Sequence, residues 1–239
     1  MALVFSVSSS ANSAGSQNPS QAITIDPGAG AGHMCLYVVS IVSLGASPTV
    51  TASSTATQPV QVGSSQIQAV PAPGFVHASL WKVDATSSDP SATVTFSSTV
   101  NGFWAVGQGV WSDAGLSPSI DVSAGTIAAA GATSVTCPSL TTTRANDWAL
   151  YFLGGTCQSN LSTGPAGTTQ RLNITSSVGV PAAIFDSNAS VGGAGTGIGG
   201  GVFTASGTNA NQAMAAFTVG LAPHSAAPAS SGLLLTAFP

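Results

Sequence analysis

The sequence predicts an all-β protein: a single β-sandwich, jelly-roll-like, with extended N- and C-terminal arms. Three observations predict it. Residues that build helix surfaces are nearly missing. The chain has no Glu, only three Lys or Arg, and 4% charged residues, where a soluble protein has about 25%. Thr and Val, which fit a pleated strand, and Gly, Ser, Asn and Pro, which fit turns, take their place. Finally, the apolar runs are short, often alternate with period two, and are separated by turn signals without any helical period.

Taken in order, residues 2–8 alternate weakly and read as a strand, and 9–20 as a loop. Ile23 and Ile25 flank Thr24 ahead of an Asp26-Pro27-Gly28 turn. MCLYVVSIVSL at 34–44 is nearly all apolar, rich in Val and Ile, and stopped by Gly45. Such a run is a central strand buried on both faces. Between 60 and 70, Gln61, Ser65 and Gln68 alternate with apolar residues. Phe75–Val83 reads as a strand, 84–90 as a turn, and Ala92–Ser97 as a strand with Val94 and Phe96 inward. Asn101-Gly102 signals a hairpin, with Phe103–Trp111 as the return strand, so 75–111 is predicted to be a three-stranded meander. Later strands are expected at 133–137, 147–154, 168–177, 182–186, 201–206 and 212–221. Ala/Gly/Asn turns are expected at 125–132 and 207–213, and a flexible Gly-rich loop at 191–201. No repeat stands out at a fixed period. The predicted organisation is an arm or first strand over 1–20, the sandwich over 21–223, and an extended arm over 224–239.

Charge excludes several functions. Lys82, Arg144 and Arg171 face seven Asp residues, too few cations for a phosphate backbone or an anionic lipid surface. Nucleic-acid and membrane partners are therefore not expected. A nearly uncharged surface favours self-association, so a homo-oligomer is. No basic, apolar leader and no run of 18 apolar residues is present, so synthesis in a cytoplasm is expected.

The search for chemistry returns no catalytic, cofactor or metal site. A triad needs His, and only His33, His77 and His224 exist; none sits beside a Gly-x-Ser-x-Gly elbow. Asp113 with Asp121, and Asp84 with Asp89, are the nearest carboxylate pairs, and both read better as turn residues capping backbone N–H groups. Gly195-x-Gly197-x-x-Gly200 has the letters of a dinucleotide fingerprint, but a strand follows it and not a helix. Cys35, Cys137 and Cys157 match no zinc spacing, although His33 and Cys35 would share one strand face. Trp81, Trp104, Trp111 and Trp148 read as core. Trp111, at a strand end before Ser112-Asp113, is the candidate for an exposed platform that stacks on a host surface glycan.

Five segments in order carry a resemblance: CLYVVSIVSL (35–44), LWKVDATSSDPSATVTFS (80–97) leading into NGFWAVGQGVW (101–111), TTTRANDWALYFLGG (141–155) and AMAAFTVGLAP (213–223). Together they resemble a β-sandwich domain of tailed-bacteriophage structural proteins, found in head decoration proteins, minor tail proteins and fibres. The resemblance covers residues 20–223 and brings no catalytic residues. It implies a non-enzymatic virion protein, made in the host cytoplasm and placed on the virion exterior. There it would decorate the capsid or tail through contacts with other virion proteins, the major capsid protein foremost and tail proteins second. The alternative is a receptor- or glycan-binding module at a tail tip or fibre.

Both ends are expected to make intermolecular contacts. Residues 1–8 would do so, as would 224–239, where Leu233, Leu235 and Phe238 could add a strand to a neighbour's sheet edge.

Overall fold

The structure, a computed structural model, describes residues 3–13, 15–24, 31–71, 74–86, 91–113, 116–157, 161–207 and 210–224. The described chain is all-β, without a helix, as composition predicts. The first half forms β1 (Leu3–Asn12), β2 (Asn18–Thr24), β3 (His33–Leu44), β4 (Val50–Ser54), β5 (Val60–Val70), β6 (Gly74–Ala85) and β7 (Thr93–Asp113). The second forms β8 (Ser119–Ile127), β9 (Ser134–Thr136), β10 (Leu140–Thr141), β11 (Trp148–Thr156), β12 (Leu161–Thr163), β13 (Thr169–Thr175), β14 (Pro181–Asp186), β15 (Gly197–Ile198), β16 (Val202–Ala205) and β17 (Ala213–Ala222).

The first half is one seven-stranded antiparallel sheet that the long strand β7 divides into two layers, a five-stranded and a three-stranded one. The second part of β7 lies between β1 and β3 in the order β1-β7-β3-β6-β5, and its first part lies between β2 and β4. The second half repeats this plan. Its five-stranded sheet runs β8-β17-β11-β14-β13, and β16 lies between β9 and β12. In each half the first strand pairs with the last, the last with a central strand, and that strand with the one closing the next hairpin. The sheets even slip at matching places. Ser6 is an extra residue where β1 pairs with β7, and Asp121 is an extra residue where β8 pairs with β17. Tyr37 stands opposite Trp81 and Tyr151 opposite Phe185. Each of these partners meets a Phe from the three-stranded sheet: Trp81–Phe96 at 5.9 Å and Phe185–Phe203 at 5.6 Å between ring centroids. The sandwich is thus doubled, and the repeat lies in strand order and register.

Three apolar layers result. Met34, Leu36 and Val38 of β3 point inward with Leu150 and Phe152 of β11, filling the space between the two five-stranded sheets. The alternate residues Cys35, Tyr37, Val39 and Ile41 point outward, under Val94 and Phe96 of β7 and Val50 of β4. In the second half Ala149, Tyr151 and Leu153 point outward under Val135 and Phe203. Antiparallel strands commonly keep one wet face. Here the central ones are dry on both, which explains why 34–44 reads as an unbroken apolar run.

Several expectations are corrected. There is no hairpin at Asn101-Gly102; β7 continues unbroken through it, and β6 and β7 lie on opposite sides of β3, so 75–111 is not a meander. Gly102 serves close approach and not a turn, because an added Cβ would press on the Ile41 side chain and stand 2.9 Å from the Val42 carbonyl oxygen. Residues 3–8 are not an arm. They pair with β7, and Leu3 sits in the inner layer, since an apolar first strand adds to an unfilled edge of its own sheet. The segment 125–132 is in part the end of β8. The Gly-rich stretch is pinned and not free: Thr142 N–H donates to the Thr196 carbonyl at 3.0 Å, Gly200 N–H to that of Cys137 at 3.0 Å, and Ile198 is buried. The C-terminal arm, with Leu233, Leu235 and Phe238, lies outside the described residues.

Small residues let the two halves approach. Ser40 on β3 is fully buried; its hydroxyl donates to the Pro181 carbonyl at 2.9 Å and accepts from Gly155 N–H at 3.0 Å. Gly154 makes room for it, since an added Cβ would lie 2.5 Å from Ser40 Oγ and 2.9 Å from Ala78 Cβ. Gly154→Val is expected to cost about 1–3 kcal/mol by overpacking. Urea unfolding checks this; an unchanged midpoint contradicts this account of the interface.

Candidate functional site

Trp111, the expected sugar platform, is fully buried. Its ring packs between Phe5 (5.4 Å) and Phe152 (6.2 Å), both edge-on. Its position at a strand end misleads, because the second sheet covers that end. Trp111 instead belongs to a lock between the halves. Its Nε1–H donates to Asp186 Oδ2 at 3.3 Å, and Arg171 Nε donates to the same oxygen at 2.8 Å. Asn188 N–H donates to Asp186 Oδ1 at 2.9 Å, and the Arg171 guanidinium lies 4.5 Å above the Phe5 ring. Asp186 is wholly buried, so removing any of these donors would leave a buried polar group unpaired.

The other flagged residues separate. Asp84 pairs with Lys82 at 2.7 Å on the surface, and Asp89 lies outside the described residues. Asp113 ends β7 and bridges to Leu116. Asp121 does not join Asp113; it joins Asp147, an association that sequence reasoning missed because the two lie 26 positions apart with strand β17 between β8 and β11. Asp121 accepts from Thr143 N–H at 2.5 Å, from the Thr143 hydroxyl, and from Arg144 N–H at 3.2 Å. Arg144 Nε is 3.9 Å from Asp121 Oδ1. Burial pushes the Asp121 carboxyl up, but hydrogen bonds from Thr143, Asp147 and Arg144 outweigh it and hold the group below its usual range. Asp147 goes the other way. Burial first, then the Asp121 carboxylate, push it up to about 7, against a smaller opposing pull from Arg144.

His77 is buried on β6, and neither ring nitrogen makes a hydrogen bond of full geometry, so no triad forms around it. Burial pushes it down to about 4, opposed by the neighbouring Pro48 backbone. Burial also pushes the Cys137 and Cys157 thiols up to about 12 and about 11, away from nucleophilic thiolates. Among the described residues no group of three His, Cys, Asp or Glu is placed to hold a metal. A cleft of ≈ 140 Å³ opens at one end of the inner layer, lined by Val42, Leu44, Val70, Phe103, Thr156 and Val178. It offers contact and no charge.

Two predictions follow from these clusters. Asp186→Ala should destabilise the protein by about 3–5 kcal/mol, because it strands Arg171 and Trp111 Nε1, whereas Asp84→Ala should change stability by less than about 1 kcal/mol. Equal effects in urea titrations would contradict the assignment. His77 is neutral in the folded chain and gains its proton more readily when unfolded. Its contribution is present above the unfolded value near 6.5 and is lost as pH falls toward about 4. Relative to His77→Phe, the parent chain should lose on the order of 2–3 kcal/mol between about pH 7 and about pH 4.5; parallel pH profiles for the two chains would exclude this.

Compared with family models, with curated proteins and with solved structures, the chain matches none.

Proposed function

We propose that the chain is a non-enzymatic structural protein of a tailed-bacteriophage particle, decorating the exterior of the capsid or tail. The observation that carries this reading is the use of charge. All three Lys and Arg side chains are spent on ion pairs within the chain: Lys82 with Asp84, Arg144 with Asp121, and Arg171 with Asp186. None of the three lines the apolar cleft. The polar surface is built from hydroxyls and amides on a doubled, closely packed sandwich, a form suited to a stable exterior component and ill suited to acid–base chemistry.

The jelly-roll expectation belongs to this reading. It is supported by the pairing of the first strand with the last in each half and by the second group of strands laid over the first. Contacts to other virion proteins, the capsid protein foremost, and to further copies of the chain would use exposed apolar residues such as Val60 and Ile67 on the edge strand β5. The glycan-binding alternative loses its main support, because Trp111 is not available to stack on a sugar.

Immunogold labelling of purified particles with an antibody against the chain should decorate their surface. Particles that carry no label, yet come from lysates rich in the protein, would end the proposal.

A further inference from the structure

Asp147 immediately precedes β11 and is fully buried, and neither of its carboxyl oxygens receives a bond from a described N–H or O–H donor. Its hydrogen-bonding neighbour is the Asp121 carboxyl. Two carboxylates in contact cannot both be ionised, so this arrangement requires one proton between them. Asp121 already takes three hydrogen bonds from Thr143 and Arg144 and is the natural carboxylate. Asp147, which has no other donor, is the natural acid.

The surroundings are shaped for the pair. Asp121 is the extra residue of the β8 slip, displaced from the ladder with β17. Gly220, on β17, leaves space where a Cβ would lie 3.2 Å from Asp147 Oδ2 and 2.8 Å from Val122 Cγ2. Asn146 takes a left-handed φ of 67°, a conformation that costs less for Asn than for most residues. The segment before β11 is zipped to a second one. Asn146 N–H donates to the Gly192 carbonyl at 2.8 Å, Val191 N–H to that of Asp147 at 2.8 Å, and Gly195 N–H to that of Thr142 at 2.8 Å.

We propose that Asp121 and Asp147 form a proton-held clasp that fastens residues 142–147, and through them 191–196, onto β8, and that loss of the shared proton loosens this end of the second half while the first half stays closed. The charged groups facing the clasp are Asp121 on β8 and Arg144 in the preceding segment; β17 presents Gly220 and β15 presents Ile198, neither of them titratable. Arg144 leans on Asp121 at 3.9 Å from a half-exposed position, too far out to neutralise a second buried carboxylate. The matching positions of the first half, by register, are Ser6 and His33, so the device exists in one half only. The sign follows from the direction of the shift. The folded chain keeps a proton that the unfolded chain releases near pH 4. The stabilising effect is therefore complete below that value and is lost as pH rises through about 7.

Hydrogen exchange of the full chain, corrected for intrinsic rates, tests this at about pH 5.5 and about pH 8.5. Amides at 142–147 and 191–196 should lose roughly tenfold or more of their protection at the higher pH, while those of β3 hold theirs. In Asp147→Asn, where the amide group can still donate to Asp121, that loss should disappear. Carboxyl carbon shifts of Asp147 in the unsubstituted chain give a measurement that does not depend on the variant folding, and the midpoint should lie near 7. A midpoint in the ordinary carboxylate range, about 4, an equal loss of protection in Asp147→Asn, or no loss in the parent chain would each overturn the proposal.

Discussion

The apolar layer between the two five-stranded sheets sets a demand that shapes everything outside it. Leu36 and Val38 face Leu150 and Phe152 across that layer, and strands so placed must still cover their other faces. Each half meets the demand in the same way, by laying a three-stranded sheet over the back of its five-stranded one. In the first half the single strand β7 passes from one layer into the other, with Phe96 over Tyr37 and Trp81. In the second half two strands, β16 and β17, share that task, and Phe203 covers Phe185. The equivalence of the halves is a consequence of two similar sheets meeting face to face.

A fold with so dry an interior treats each buried charge as a separate problem. Asp186 receives hydrogen bonds from Arg171, Trp111 and Asn188, and those donors come from both halves. The carboxyl group thereby becomes a register pin between them. Asp147 has no such set of donors and is accommodated by keeping its proton. His77 is accommodated by losing its own. The last two respond to pH in opposite directions, Asp147 being held above its usual range and His77 below.

The same economy bears on function. Every cation is committed to an aspartate of the chain, so little charge remains to steer or bind a charged ligand. What is left for recognition is shape, hydroxyls and a few exposed apolar side chains on edge strands. That repertoire suits recognition by shape and apolar area better than recognition by charge.

Composition and period-two alternation were sufficient for the fold class and for most strands, because a residue's preference for a pleat and the inward–outward pattern are local properties. The double burial of 34–44 was legible for the same reason: a strand dry on both faces has no polar alternation. Asn101-Gly102 shows the limit. The pair favours a hairpin locally, yet pairing with β1 and β2 on one side and β3 and β4 on the other stabilises the unbroken strand, and Gly102 is required by Ile41 and Val42. Trp111 shows it again, since a strand end is exposed only if no second sheet lies over it. The carboxyl pair could not be read at all. Asp121 looks like a turn residue in the sequence and Asp147 like the first residue of a strand, and only a slip in β8 and the gap left by Gly220 bring them together. The sequence by itself therefore determined which residues prefer strands and which faces are apolar. The tertiary structure decided which strands pair, that the pattern occurs twice, and which acids come together, because these depend on contacts between residues far apart in the chain.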